Sequence, residues 1–216
     1  MEKIVNGIVQ FQNQPFADRK ALFAELANGQ SPEVLFITCA DSRIDPNLVT
    51  QTEPGELFIC RNAGNIVPPH VKVAGGVTAS IEYAVAGLGV KNIVICGHTD
   101  CGAMKGALNP QGLEALPHVH DWLNNSRAAV EVVKAKCGRA TAEELLMVTE
   151  ENVLLQLQPL RTHPAVAARV ANKEISLHGW VYHIENGVVT CYDETKEAFV
   201  PLQDRYANLI NKPNAA

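Results

Sequence analysis

Short, dense apolar runs punctuate this chain, separated by stretches in which apolar residues return every third or fourth position. Val34-Leu-Phe-Ile-Thr38 and Asn92-Ile-Val-Ile-Cys96 show no polar alternation, so they read as strands buried on both faces. Glu56-Leu-Phe-Ile-Cys60 predicts a further strand. Gly75-Gly76 opens a helical period through Ala79, Ile81, Tyr83, Val85 and Leu88, closed by Gly87 and Gly89. Residues 2–29 carry a helical stripe of Ile4, Ile8, Phe11, Leu22, Phe23 and Leu26, broken near Pro15. Because that stripe precedes the first strand, it either packs on its own sheet or reaches a partner subunit. Asp45-Pro46-Asn47 reads as turn, Gly102–Gly106 as a helix start, and residues 118–139 as one long helix or a pair. Thr141-Ala-Glu-Glu144 is a capping-box signal for a helix running to about Leu160, whose dense leucines and valines imply burial on more than one side. Residues 176–184, Asn186-Gly187 and residues 188–192 predict a hairpin with a type I′ turn. With no repeat or linker, the expectation is one α/β domain spanning residues 1–216. Its sheet is mostly parallel with an antiparallel edge, flanked by helices, and residues 1–30 form an N-terminal helical arm.

Composition narrows the partners. A net charge of −5 and a pI near 5.8, with no run of Lys or Arg, give no electrostatic case for nucleic acid or an anionic membrane. No stretch reaches the roughly 18 apolar residues of a spanning helix, and the start lacks a signal-peptide pattern, so the expected location is cytoplasmic. Charged residues make up 19%, which leaves room for a buried subunit interface. Of six cysteines, Cys60, Cys96, Cys137 and Cys191 have no ligand-like neighbour and read as buried or inert thiols.

The other two change the picture. Cys39-Ala-Asp-Ser-Arg43 and His98-Thr-Asp-Cys-Gly102 each follow a predicted buried strand, so two thiols and an imidazole fall at carboxyl ends of one sheet, where open α/β sheets hold ligands. Taken singly, each segment reads better as a core thiol or a satisfied core histidine than as a ligand. Jointly they favour a metal, and Cys2His is a catalytic rather than a structural zinc set. Two thiolates neutralise Zn2+ and so acidify its water less than three imidazoles do. A neighbouring group that handles protons would help. Asp41, kept ionised by Arg43, would either accept a hydrogen bond beside the metal or fill its fourth position. The helix after Cys101 would favour thiolate there.

Cys39-Ala-Asp-Ser-Arg43, Arg61-Asn-Ala-Gly-Asn65, Glu82-Tyr-Ala84 and Gly97-His-Thr-Asp-Cys-Gly102 resemble, in order, the motifs of β-class carbonic anhydrases. The likeness runs from the N-terminal helix to the Leu177–Tyr182 segment. It implies zinc held by Cys39, His98 and Cys101, with Asp41 and Arg43 as a dyad beside it. It also implies a domain-exchanging homodimer or higher homo-oligomer, and reversible conversion of CO2 to bicarbonate and a proton by zinc-bound hydroxide. One subgroup carries a bicarbonate-sensitive Trp three residues before the first Cys ligand. Here that position is Phe36, although Arg61 and Tyr182 match the rest of the triad. The chain instead resembles the plant-like subgroup, whose substrate-pocket residues match Gln30, Phe58 and Tyr83. Gln30 would offer an amide to bicarbonate and the two rings an apolar wall to CO2. Ala103 departs from the second Gly of many relatives, and Gly102 N–H is expected to remain available to substrate. No single proton shuttle stands out among His70, His118, His120, His163, His178 and His183. The alternatives are a carbonyl sulfide or carbon disulfide hydrolase with the same zinc site, and a non-catalytic zinc-binding or redox-sensing protein.

Overall fold

A computed structural model describes residues 1–73 and 75–210, and the chain divides after Ser31 into two compact units. The first unit holds α1 (Glu2–Asn13), α2 (Pro15–Asp18) and α3 (Lys20–Leu26), with the expected break at Pro15. Its rings gather as Phe11, Phe16 and Phe23, with centroids 5.0–6.0 Å apart. Ile4, Val5, Ile8 and Val9 of α1 are each at least half exposed, which leaves an apolar stripe uncovered.

The second unit is built on six strands: β1 (Val34–Cys39), β2 (Leu57–Asn62), β3 (Asn92–His98), β4 (Ser176–Tyr182), β5 (Val189–Asp193) and β6 (Ala198–Pro201). They lie in the order β2-β1-β3-β4-β5-β6; the first four are parallel and the last two antiparallel. The remaining elements of this unit are α4 (Pro46–Thr50), α5 (Gly76–Glu82), α6 (Gly102–Leu108), α7 (Pro117–Leu123), α8 (Arg127–Cys137), α9 (Leu145–Leu160), α10 (Pro164–Ala171), α11 (Leu202–Arg205) and α12 (Ala207–Ile210). No described helix is long and apolar enough to cross a membrane.

β1 and β3 lack alternation because both their faces are covered. Leu35, Ile37, Ile93 and Ile95 join one core cluster, while Phe36, Val94 and Cys96 join another with Trp180. α9 approaches closely over Gly97 and Gly179, where an added Cβ would come within 2.9 Å of Val153 methyl carbons. Thr141 and Glu144 form the expected capping box, and the helix it opens buries Asn152 and Gln156 as fully as its valines.

Several expectations change. Asp45-Pro46 is a helix start rather than a turn: Asp45 Oδ1 accepts from Leu48 N at 3.2 Å and Pro46 takes the first helical position. The helical period after Gly76 widens to a π-turn at Tyr83–Gly87, where a Cβ on Gly87 would lie 2.9 Å from the Tyr83 ring. Residues 118–139 form two helices joined by a 3-10 turn at Asn124–Ser126. Cys60, Cys96 and Cys191 are buried as expected, but Cys137, the last residue of α8, is exposed. β6 and the helices after residue 163 lie outside the elements that the sequence pattern predicts.

Candidate metal centre

Register brings the two motifs together. β1 and β3 pair in parallel, so Cys39 and His98 finish neighbouring strands on the same edge of the sheet. The chain then turns through Asp100, a non-glycine residue at φ 57°, and presents Cys101 at the start of α6. The Sγ atoms of Cys39 and Cys101 are 3.9 Å apart, and with a His98 ring nitrogen all three donor atoms lie within 4.8 Å of one another. All three residues are buried, His98 and Cys101 almost completely.

The donor set fits a metal on the state of His98. Its Nδ1 lies 2.8 Å from Thr99 O; a carbonyl only accepts, so Nδ1 carries a hydrogen and Nε2 is the nitrogen left to face the thiols. That Nε2 is fully buried and has no hydrogen-bond partner. A buried ring nitrogen without a partner is costly, and a cation shared with the two sulfurs would satisfy it. Soft sulfur with imidazole is the donor chemistry of zinc.

The electrostatics agree. The Cys39 thiol is lowered to about 4, chiefly by a hydrogen bond from Cys101 and, against desolvation, by His98 and the Gly64 N–H. The Gly64 nitrogen sits 3.4 Å from Cys39 Sγ. Cys101 is pushed up, first because it shares its proton with Cys39 and then by burial. The N–H groups of Met104 and Ala103 at the start of α6 do favour thiolate on Cys101, as expected, but the neighbouring sulfur outweighs them. Without metal, the anion therefore rests on Cys39. Burial opposes charge on His98, yet the adjoining Cys39 thiolate draws its pKa up.

Asp41 and Arg43 are paired as the motif suggested. Arg43 donates to Asp41 Oδ1 through N and Nε at 3.0 Å each and to Oδ2 through Nη2 at 2.8 Å. These bonds hold the Asp41 carboxyl well below the usual carboxylate range. Asp41 Oδ2 remains 3.8 Å from His98 Nε2. Arg43 also reaches the other ligand loop, donating to Asp100 Oδ2 at 2.9 Å and Asp100 O at 3.1 Å; Lys105 takes Oδ1. Asp100 was missed in the sequence, although an acidic residue between two ligands was a visible signal. Arg61 was matched to a bicarbonate-site residue, but here it donates to the carbonyls of Cys39, Asp41 and Ile44 at 2.7–2.9 Å and so splints the dyad loop.

Phe58 and Tyr83 come together, ring centroids 5.8 Å apart, and Tyr83 is half exposed. They do not stand over the donor atoms: Phe58 pairs in register with Leu35, four residues before Cys39, or about 13 Å along the strand. Gly102 is exposed and has open space around its Cα. Ala103 carries its methyl carbon to 3.0 Å from where a Cβ on Gly64 would sit; Gly64, at φ 82°, has no room for one. Gln30 is exposed and belongs to the N-terminal unit. His163 and His178 are lowered by burial and bonded to Pro68 O and to Tyr206 and Asn92, a structural arrangement.

Residues 34–189 match the carbonic anhydrase family model. A carbonic anhydrase of Pseudomonas aeruginosa is 47% identical over 204 residues, 94% of this chain and 93% of that protein. The solved β-carbonic anhydrase CcaA superposes with a TM-score of 0.89 at 42% identity, over 93% of this chain and 98% of its own. One of two tetrameric β-carbonic anhydrases from the ascomycete Sordaria macrospora gives 0.77 at 29% identity, over 88% and 95% of the two chains.

Proposed function

The chain belongs to the β-carbonic anhydrase family, and from that premise we propose how its own residues serve the reversible hydration of CO2 to bicarbonate and a proton. The observation that carries the reading is the orphaned Nε2 of His98 facing two thiols, one of them already ionised. Cys39, His98 and Cys101 would hold zinc. When bound, that ion supplies the Lewis acidity that activates water at neutral pH. Arg43 keeps Asp41 ionised and turned toward its guanidinium. The Oδ2 that faces His98 then accepts a hydrogen from the attacking water and aims its lone pair. Gly102 N–H, open at the mouth, takes an oxygen of bicarbonate.

The pocket is completed by a second copy. Phe58 lies too far along β2 to wall its own donor atoms, and with Tyr83 of the π-turn it forms a partly exposed ring pair suited to a neighbouring subunit's CO2. Residues 1–30 present uncovered Ile4, Val5, Ile8 and Val9, an apolar arm for a partner, and Gln30 closes it with an amide for bicarbonate. A homodimer is thus the smallest complete unit, and the tetrameric Sordaria relatives show that such folds assemble further. All six cysteines are free thiols, which supports a reducing, cytoplasmic location. Stopped-flow CO2 hydration on zinc-quantified protein tests the assignment: activity should track zinc occupancy, and zinc-loaded protein without activity would overturn it.

A further inference from the structure

One peptide group beside Cys39 is gripped from both sides. Gly64 N–H points at Cys39 Sγ, 3.4 Å away. The carbonyl of the same peptide unit belongs to Ala63, and Trp122 Nε1 of α7 donates to it at 2.8 Å. In a trans peptide the C=O and N–H point in opposite directions, so holding one aims the other. The next carbonyl, Gly64 O, accepts from Asn152 Nδ2 of α9 at 3.1 Å. Asn152 is locked in turn: its Oδ1 accepts from Gln156 Nε2 at 2.9 Å, and Gln156 Oε1 accepts from Val67 N at 2.9 Å. Gln156 Nε2 also donates to Asn125 O at 3.3 Å, and both side chains are fully buried, so breaking these bonds would leave polar groups unpaired.

We propose that Trp122 is a positioning residue for the metal centre: its indole N–H fixes and polarises the Ala63–Gly64 peptide so that Gly64 N–H draws charge from the Cys39 sulfur, with Asn152 holding the far side. An amide whose oxygen is already hydrogen-bonded is a stronger donor through its nitrogen. A thiolate that donates a share of its charge to an N–H gives less to zinc. The ion then keeps more of the Lewis acidity that two thiolates would otherwise damp. The idea rests on the ligand assignment above, so its test includes a readout that needs no metal.

Trp122→Phe keeps the ring and removes the N–H. Gly64 amide exchange, read by NMR on metal-free protein, should become ~10-fold faster. In cobalt-substituted protein the sulfur-to-metal charge-transfer band should move to lower energy; because the Gly64 peptide is no longer held against the ligand nest, zinc should also pass to a competing chelator ~10-fold more readily. Trp180→Phe, the other of the two tryptophans, should change none of the three. If Trp122→Phe does not fold, incorporating benzothienylalanine in the Trp180→Phe background replaces only the indole N–H of Trp122. Unchanged Gly64 exchange, or an unmoved band with zinc affinity within twofold of wild type, overturns the role of Trp122. Wild-type protein that binds neither cobalt nor zinc overturns the ligand assignment instead, and the Gly64 exchange still reports on the clamp.

Discussion

Cys39 and Cys96 stand on adjacent strands of one sheet, both buried, and their thiols behave oppositely. Cys39 is lowered to about 4, while Cys96 is pushed up to about 12. Cys96 packs with Phe36, Val94 and Trp180, where desolvation raises it and hydrogen bonds with the Tyr182 backbone and the Thr38 side chain offset only part of the rise. Cys39 faces the opposite layer, where a second thiol, an imidazole and a backbone N–H all favour the anion. Burial is common to both; the number and strength of the groups that stabilise the anion decide. The histidines repeat the contrast. His178 is satisfied on both nitrogens by Tyr206 and Asn92 and is lowered by desolvation, whereas His98 has one nitrogen without a partner and is raised by the thiolate. Chemistry in this fold sits where buried groups are left incomplete, not where they are most deeply buried.

The sharpest way to break the contrast is to remove its centre. Cys39→Ser or His98→Ala should lose zinc, measured by atomic absorption, and lower CO2 hydration by several orders of magnitude together. Retained zinc with near-wild-type activity would sink the ligand assignment. Next, peptide mapping after brief iodoacetamide treatment of metal-free protein at pH 6 should find Cys39 alkylated at least ~100-fold faster than Cys96, and protected by zinc. Equal rates would show that donors do not separate the two sulfurs. Third, Gly97→Ala forces a methyl against Val153 and Thr149 and should destabilise the fold by ~1–3 kcal/mol in urea titration, a packing effect on the strand that ends in His98. The smallest effect concerns the completed histidines. An unfolded chain takes up imidazole protons near pH 6.5, which buried His163 and His178 resist. The stability they contribute is present above that pH and is lost as pH falls toward their lowered folded values. The melting temperature should therefore drop between pH 7 and 5, with a shallower slope in His178→Gln; an unaltered slope would remove His178 from the account.

Much of this was legible because local pattern and tertiary role coincide. The unalternating runs before Cys39 and His98 announced buried parallel strands, and Thr141 with Glu144 announced the start of α9. What escaped depends on contacts between distant segments. Nothing in the leucine-rich period of α9 says that Asn152 and Gln156 turn inward to hold Gly64 and Val67. Arg61 carried a family match, but three carbonyls of the dyad loop claim it. Asp45-Pro46 was misread although cap and proline were both in view, since the same residues favour turns. Phe58 and Tyr83 were recognised as a pair, but register alone shows that they lie away from their own donor atoms.

Arg43 ties the Cys39 loop to the Asp100 turn through contacts that involve no metal. Together with Arg61 it braces the nest through bonds that need no ion. Loading this protein is therefore closer to seating a bearing in a machined housing than to casting the housing around it. Little of the binding free energy need go to ordering the chain, in contrast to small zinc modules that fold only on capture. Stripping the ion should leave a folded scaffold that can be refilled.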